Sequence, residues 1–488
     1  MPESNTQKVI KGVSSQTLVT VVLGVVEIVS FSIMSRLLSQ EDFGYFAAVT
    51  AITTVFSSFS ETGIGSALIQ RKEIDKRFIN NAFTMSLLFG VFISLLMLSL
   101  SGVLAEAVVD SSLKVPIMLM SVTLICHCLT SVNTSIMIRN LQFIRVGVIN
   151  LVSLVITTII AVILALKGFG YYSIITKAVL SSVITLVLSR LFVSVRYGLA
   201  LNKETVKSIF GFSGWLMASV FFRNFAQQID RLMMGRLLSV EALGSYNRPK
   251  EFINQISTKL NGIFDTALFP VLSGIQDNKN SLRNAYRTSF YYLNTFAMLL
   301  ATSFIFNHEL IIRVFLGEQW MSTKVVFIIV SIALVFNIDG RLSDCYFRSL
   351  GLTRQQFFFR ILELIIKVFG LLIGAKWGLV GVALSVVISN ITMIVIKTLF
   401  IAGQVEVSAT ETIAIIVRSW KFSMFEIPVL FVAYLLLPHS WLGNILLAAL
   451  NVIIVFLLFI VFPKAVGKLY ADNAYEKVKR VIMNKFHF

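Results

Sequence analysis

The chain has 488 residues, of which 56% are hydrophobic and only 14% charged, against about 25% charged residues in an average soluble domain. With a mean hydropathy of +0.84 it cannot clothe a water-facing surface. Lipid is the solvent for most of it, which excludes a soluble enzyme, a secreted disulfide scaffold and a disordered protein. Cys126, Cys128 and Cys345 all lie in apolar stretches, so no disulfide framework is expected, and the formal charge of +17 reflects loop asymmetry rather than nucleic-acid binding.

A short polar N-terminus, 1–12, precedes an apolar run over 13–38. That run is too long for a signal-peptide core and lacks a small-residue cleavage site, so it reads as the first membrane span. A bilayer core about 30 Å thick needs roughly 20 apolar residues in a helix. Stretches of that kind follow at 43–69, 80–104, 115–137, 146–166, 171–190, 209–235, 252–274, 288–308, 325–347, 361–375, 378–396, 413–436 and 442–462, predicting fourteen helices. The eleventh is short and charged, and Pro270 and Pro428 fall inside the eighth and thirteenth, where they favour a kink. Arg418 and Lys421 beside Trp420 fit an interfacial start to the thirteenth span as well as charges within it. With the N-terminus in the cytoplasm, the inner segments hold most of the Lys and Arg outside the spans, as the positive-inside rule requires. The tail over 463–488 alternates apolar and basic residues at helical spacing and reads as a basic amphipathic helix on the inner leaflet.

One segment repeats. Met34-Ser35-Arg36-Leu37-Leu38-Ser39-Gln40-Glu41-Asp42-Phe43-Gly44 returns as Met234-Gly235-Arg236-Leu237-Leu238-Ser239-Val240-Glu241-Ala242-Leu243-Gly244, with seven of eleven positions identical. Both copies end an odd-numbered span, and an even number of spans separates them, so the halves are expected to be parallel repeats about an axis along the membrane normal. Locally, Ser39 and Asp42 suit a capping box, the glycines suit close helix approach, and Glu41 and Glu241 read as structural. The organisation expected is all-α. Two parallel-repeat six-helix lobes, 1–195 and 209–400, surround a central cleft, with a cytoplasmic linker at 196–208, two further spans within 401–462 and the tail. That is a transporter's geometry.

Several motifs carry a resemblance. They are Arg36-Leu37-Leu38-Ser39-x-Glu41-Asp42-Phe43-Gly44, the run from Thr62 to Arg71, Asp230 with Arg236-Leu237-Leu238, Gly244 and Tyr246, Phe269-Pro270, and Leu316-Gly317-Glu318-Gln319-Trp320. Over roughly residues 8–400 the chain resembles the polysaccharide-transporter branch of the multidrug/oligosaccharidyl-lipid/polysaccharide exporter superfamily, the Wzx-type flippases. The resemblance implies a bacterial inner-membrane protein with both termini cytoplasmic. Its cargo would be an undecaprenyl-pyrophosphate-linked oligosaccharide, an O-antigen, capsule or exopolysaccharide unit, moved to the periplasmic leaflet by alternating access. The resemblance also implies membrane lipids, a polysaccharide polymerase and chain-length machinery as partners.

Ionisable residues inside spans are costly and usually face a wet cavity or a partner. Ser219, Arg223, Gln227 and Asp230 share one face of the seventh span; Gln16, Thr20 and Glu27 share one of the first; Asn254, Thr258, Asn261 and Asp265 form a stripe on the eighth beside Lys259, with Glu61 the repeat counterpart of Asn261. For a pyrophosphate, Arg223 and Lys259 are the first candidates and Arg341 and Lys367 the next. The last two have acidic neighbours at helical spacing, Asp344 and Glu363, so structural pairing competes with substrate contact. No Gly-x4-Gly-Lys-Ser/Thr loop occurs, so uphill transport would use H+ or Na+ through a carboxylate, with Glu27, Asp230 and Asp265 as candidates against a helix-packing role. No cofactor is implied. His127 between Cys126 and Cys128 reads as packing, since adjacent residues point to different faces of a helix. Two rivals stay open: a multidrug or cation exporter of the same superfamily, which would want an acidic cavity, and a membrane polysaccharide polymerase or glycosyltransferase, which would want a large outer loop.

Overall fold

A computed structural model describes residues 5–467 apart from 61–63, 71–73, 194, 196, 203–220 and 439; the side chains of 5–18, 59–60, 66–67, 70, 259–267, 270, 353 and 459–467 are outside the description. Among the described residues every regular element is a helix. The cause is the solvent: in hydrocarbon each backbone N–H and C=O must find its partner within the segment. Nine stretches of the described residues are long and apolar enough to cross a bilayer, and one of them, Arg354–Gln404, holds two successive helices. The chain is a multi-pass membrane protein. The spans expected over 209–235 and 252–274 run through residues or side chains outside the description, as does the tail.

Two compact units emerge. The first, Met1–Arg248 with Phe315–Trp320, contains α1 (Asn5–Leu37), α2 (Gln40–Ser60), α3 (Ile64–Gln70), α4 (Lys76–Ser99), α5 (Ser101–Val108), α6 (Lys114–Arg139), α7 (Phe143–Leu166), α8 (Tyr171–Phe192), α9 (221–237) and the start of α10 (Val240–Gly274). The second, Pro249–Val314 with Met321–Phe488, contains the rest of α10, then α11 (Lys279–Phe306), α12 (His308–Ile311), α13 (Lys324–Ser349), α14 (Thr353–Gly374), α15 (Gly378–Gln404), α16 (Ala409–Ser419), α17 (Lys421–Leu436) and α18 (Trp441–Gly467). Large apolar side chains such as Phe92, Leu191 and Phe456 stand exposed on these helices, as lipid-facing residues should.

Helix ends follow local chemistry. Asp75 and Asn278 cap α4 and α11 by accepting from the backbone N–H of Phe78 and Ser281. α13 ends on Gly351 at φ +70°, where the N–H of Leu352 reaches Phe347 O at 2.8 Å and that of Gly351 reaches Arg348 O at 3.2 Å, a Schellman ending. Two boundaries depart from the hydropathy reading. The thirteenth span breaks at Trp420 into α16 and α17, because Glu411 of α16 pairs with Arg283 and Arg287 of α11 and holds a short amphipathic turn apart from the apolar helix. α14 starts at Thr353, before the expected 361, because partners on neighbouring helices rather than water satisfy Arg360.

The duplicated turns meet inside the first unit. In the first copy, Asp42 N donates to Ser39 Oγ at 3.1 Å while Ser39 N and Oγ donate to Asp42 Oδ2 at 3.0 and 2.8 Å, completing the capping box. In the second, Ala242 N donates to Ser239 Oγ at 3.1 Å, and Ala242 supplies no returning carboxylate. A Cβ on Gly44 would overlap the carbonyl oxygen of Val240, and one on Gly244 would overlap that of Gln40. Both pairs are repeat-related, so the contact is reciprocal and the two helix starts cross about a local two-fold. Only a residue without a side chain permits that approach. Arg248, 4% exposed, fastens the junction: its guanidinium lies between the rings of Phe31 and Phe43, 3.3 and 3.9 Å from their centroids. It donates to Ser35 Oγ at 2.8 Å and Phe31 O at 2.7 Å.

Candidate functional site

The densest charge inside the described helices is in the second unit, where α13, α14 and α15 pack together. Helical spacing puts Arg360, Glu363 and Lys367 on one face of α14. Arg360 bonds Asp344 of α13 and reaches Glu363 at 3.0 Å. Lys367 Nζ lies 3.3 Å from Glu363 Oε1, and Lys397 Nζ of α15 lies 2.9 Å from Glu363 Oε2. Gln356 Nε2 donates to Asp344 Oδ1 at 3.3 Å. One carboxylate, Glu363, therefore serves three cations. Among the described residues the five side chains together hold three positive and two negative charges, one cation in surplus, with Lys397 only 3% exposed. In a membrane interior such a network is expensive and holds together only through its pairings. Its surplus gives it the sign needed to receive an anion.

Arg341 lies half-buried one turn before Asp344 on α13. Arg348, one turn after it, donates through Nε to Asp344 O at 3.3 Å and sits over the Phe269 ring. Lys367 is thus within the network, whereas Arg341 adjoins it along the helix.

In the first unit the polar face of α9 is partly engaged. Arg223 Nε donates to Asn224 Oδ1 at 3.4 Å, and Asn224 Nδ2 to Ser58 Oγ of α2 at 2.9 Å. Asp230, 3% exposed, accepts from Tyr246 Oη and from Arg231 N, each at 3.0 Å. Gln227 and Thr20 are exposed and Glu27 is half-buried. Lys177 Nζ of α8 donates to Ser30 Oγ of α1 at 2.5 Å, and Ser30 Oγ pairs with Thr158 of α7 at 2.9 Å. On α10, Asn254 is half-buried and Thr258 exposed. The side chains of Gln16, Glu61, Ser219, Lys259, Asn261 and Asp265 lie outside the described set.

Four buried charges were not singled out as candidates from the sequence. Lys397 and Arg248 fall just outside the spans expected at 378–396 and 252–274, although both are inside helices. Asp339 of α13 accepts from Asn294 Nδ2 at 2.8 Å, and Glu426 of α17, wholly buried, is a single carboxylate in an apolar window that averaging hides. Screening each span for lone charges would have found them.

The comparisons with known proteins agree in kind. The sequence profile of the family described as "Polysaccharide biosynthesis protein" matches residues 33–325. The lipopolysaccharide biosynthesis protein WzxC of Escherichia coli K12 is 22% identical over 88% of each chain. The succinoglycan biosynthesis transport protein ExoT of Rhizobium meliloti is 21% identical over 60% of this chain and 59% of its own. Among solved structures, the lipid II flippase MurJ in an inward closed conformation superposes with a TM-score of 0.70 at 17% identity, covering 92% of this chain and 99% of that one. An inward-facing multidrug resistance MATE family transporter of the MOP superfamily gives 0.65 at 14% identity over 79% and 94%. With more than half of its length matched, the chain belongs to the polysaccharide biosynthesis protein family.

Proposed function

We propose that the chain is a transporter, not an enzyme, and that it moves an undecaprenyl-pyrophosphate-linked oligosaccharide from the cytoplasmic to the periplasmic leaflet of a bacterial inner membrane by alternating access. Family membership supports the class of cargo. The observation that carries the anionic part of the reading is the surplus cation of the network on α13–α15, where Lys367 and Lys397 share Glu363. A pyrophosphate crossing the membrane must exchange hydration for cationic donors, and Lys367 can turn to it while Lys397 keeps Glu363 paired. In this reading Arg223, Lys259 and Arg341 are further cationic contacts, and H+ or Na+ drives the cycle. The fourteen spans form two six-span lobes with two further spans, and both termini are cytoplasmic. A cation exporter would place surplus negative charge where this chain has surplus positive charge.

The test uses proteoliposomes carrying a fluorescent undecaprenyl-pyrophosphate oligosaccharide, scored by leaflet accessibility. Transfer is expected to depend on the protein, and Lys367→Ala to slow it about ten-fold or more, the cost of one lost charge-assisted contact. Protein-independent accessibility under both a proton and a sodium gradient would end the reading.

A further inference from the structure

Within the second unit, away from the cationic network, a carboxylate is buried without any cation. Glu426 of α17 is 0% exposed. No Lys, Arg or His forms an ion pair with it among the described residues. Two neutral groups hold one of its oxygens. Asn451 Nδ2 of α18 donates to Glu426 Oε1 at 2.9 Å, and Ser303 Oγ of α11 lies 3.4 Å from the same oxygen. Asn307, one turn after Ser303, donates through Nδ2 to Ser303 O at 2.8 Å and reaches Asn451 Oδ1 at 3.3 Å. The chain of contacts closes on itself through α11, α17 and α18.

Among the described residues Glu426 Oε2, Asn307 Oδ1 and Ser423 Oγ have no hydrogen-bond partner, and Ser423 stands one turn before Glu426 on α17. Asn307 is 7% exposed and Ser423 1%. Buried polar atoms left unmatched call for a ligand, a water or an ion, and a buried carboxylate calls for positive charge. A single proton on Oε2 would cancel the charge but supply one donor, enough for either Asn307 Oδ1 or Ser423 Oγ and not for both. A divalent ion would overshoot one carboxylate by a full charge. A small monovalent cation answers both demands, since it matches the charge and takes neutral oxygens as ligands.

We infer that Glu426, Asn307 and Ser423, framed by Asn451 and Ser303, form a sodium site between α11, α17 and α18. The site goes beyond the transport reading, because binding here does not depend on what the chain carries. It is also separate in sequence from Glu27, Asp230 and Asp265.

The experiment uses the full-length chain in lipid nanodiscs without any lipid-linked saccharide. Radioactive sodium binding and the unfolding midpoint are measured in NaCl against choline chloride and KCl at equal ionic strength, across several pH values. Wild type should bind sodium saturably, with a midpoint shift that the other salts do not reproduce. Glu426→Gln should weaken that binding at least ten-fold, and Asn307→Ala and Ser423→Ala several-fold. Ser423→Ala is a small change that keeps the test decisive should Glu426→Gln fail to fold. The inference falls if wild type shows no sodium-specific binding, if these variants bind as wild type does, or if the response follows pH alone, which would make the cluster a proton site. Sodium binding without glycan transfer would sink the transport reading and leave this one; transfer without sodium binding would do the reverse.

Discussion

The two polar interiors in the second unit are built on opposite stoichiometries. On α13–α15 two carboxylates hold three cations; between α11, α17 and α18 one carboxylate is held by an amide and a hydroxyl with no cation among the described residues. The buried Arg248 of the first unit is a third case, in which a backbone carbonyl, a hydroxyl and two aromatic rings hold the charge. A charge matched on all sides fixes packing and has nothing left to offer. An imbalance of one, in either sign, leaves a place that a mobile ion or an anionic group can fill. Ionic content alone says little about function in a membrane interior; the residue left over says more.

The largest effect should come from breaking the surplus at its hub. Glu363→Ala removes an ion-pair partner from each of Arg360, Lys367 and Lys397 and should cost about 3–5 kcal/mol, the range for breaking a buried pair from one side. Chemical-denaturant unfolding in detergent micelles would read it. Adding Lys397→Ala should return part of the loss, and an additive double mutant would show that Lys397 and Glu363 are not coupled. Next comes the junction of the two turns. Gly244→Ala places a Cβ against the Gln40 carbonyl and should cost about 1–3 kcal/mol by overpacking. Gly102→Ala, whose added Cβ meets nothing within 4 Å, should be neutral or mildly stabilising. Equal midpoints for the two variants would remove the close approach from the account.

The smallest effect belongs to a surface pair. Lys279 hydrogen-bonds Glu406 outside the apolar spans and, with its charge, holds that carboxyl below its ordinary value. A depressed carboxylate pKa contributes stability above its unfolded value and loses it as pH falls through the folded one. Because the pair is exposed and screened, Lys279→Ala should leave the unfolding midpoint at neutral pH indistinguishable from wild type. A clear drop would show that exposed pairs count here as buried ones do.

What could be read in the sequence was what rests on local spacing. The capping box at Ser39 and Asp42 needs only adjacent turns, and it forms as its residues suggest. The face shared by Arg360, Glu363 and Lys367 follows from helical geometry and is realised as pairs. The third cation of that group could not be read, because Lys397 reaches Glu363 from α15 and no spacing rule links the two. Asp344 stands at helical spacing from Arg341, yet it bonds Arg360 across helices. Glu426 escaped notice for a different reason. Its neighbours in sequence are apolar enough to hide it, and its polar companions Ser303, Asn307 and Asn451 come from helices far along the chain. Tertiary neighbours decide whether a buried charge is spent or available, and the order of residues does not list them.

The crossing of Gly44 and Gly244 also explains where the duplication remains visible. At the end of the stretch in which the two copies stay alike they lie against each other, Gly44 on the Val240 carbonyl and Gly244 on that of Gln40. Each copy there sets the side-chain size that the other can tolerate, so neither can drift without its twin. Beyond the junction that mutual veto is gone, and the likeness thins to single positions such as Ala67 over Ala267.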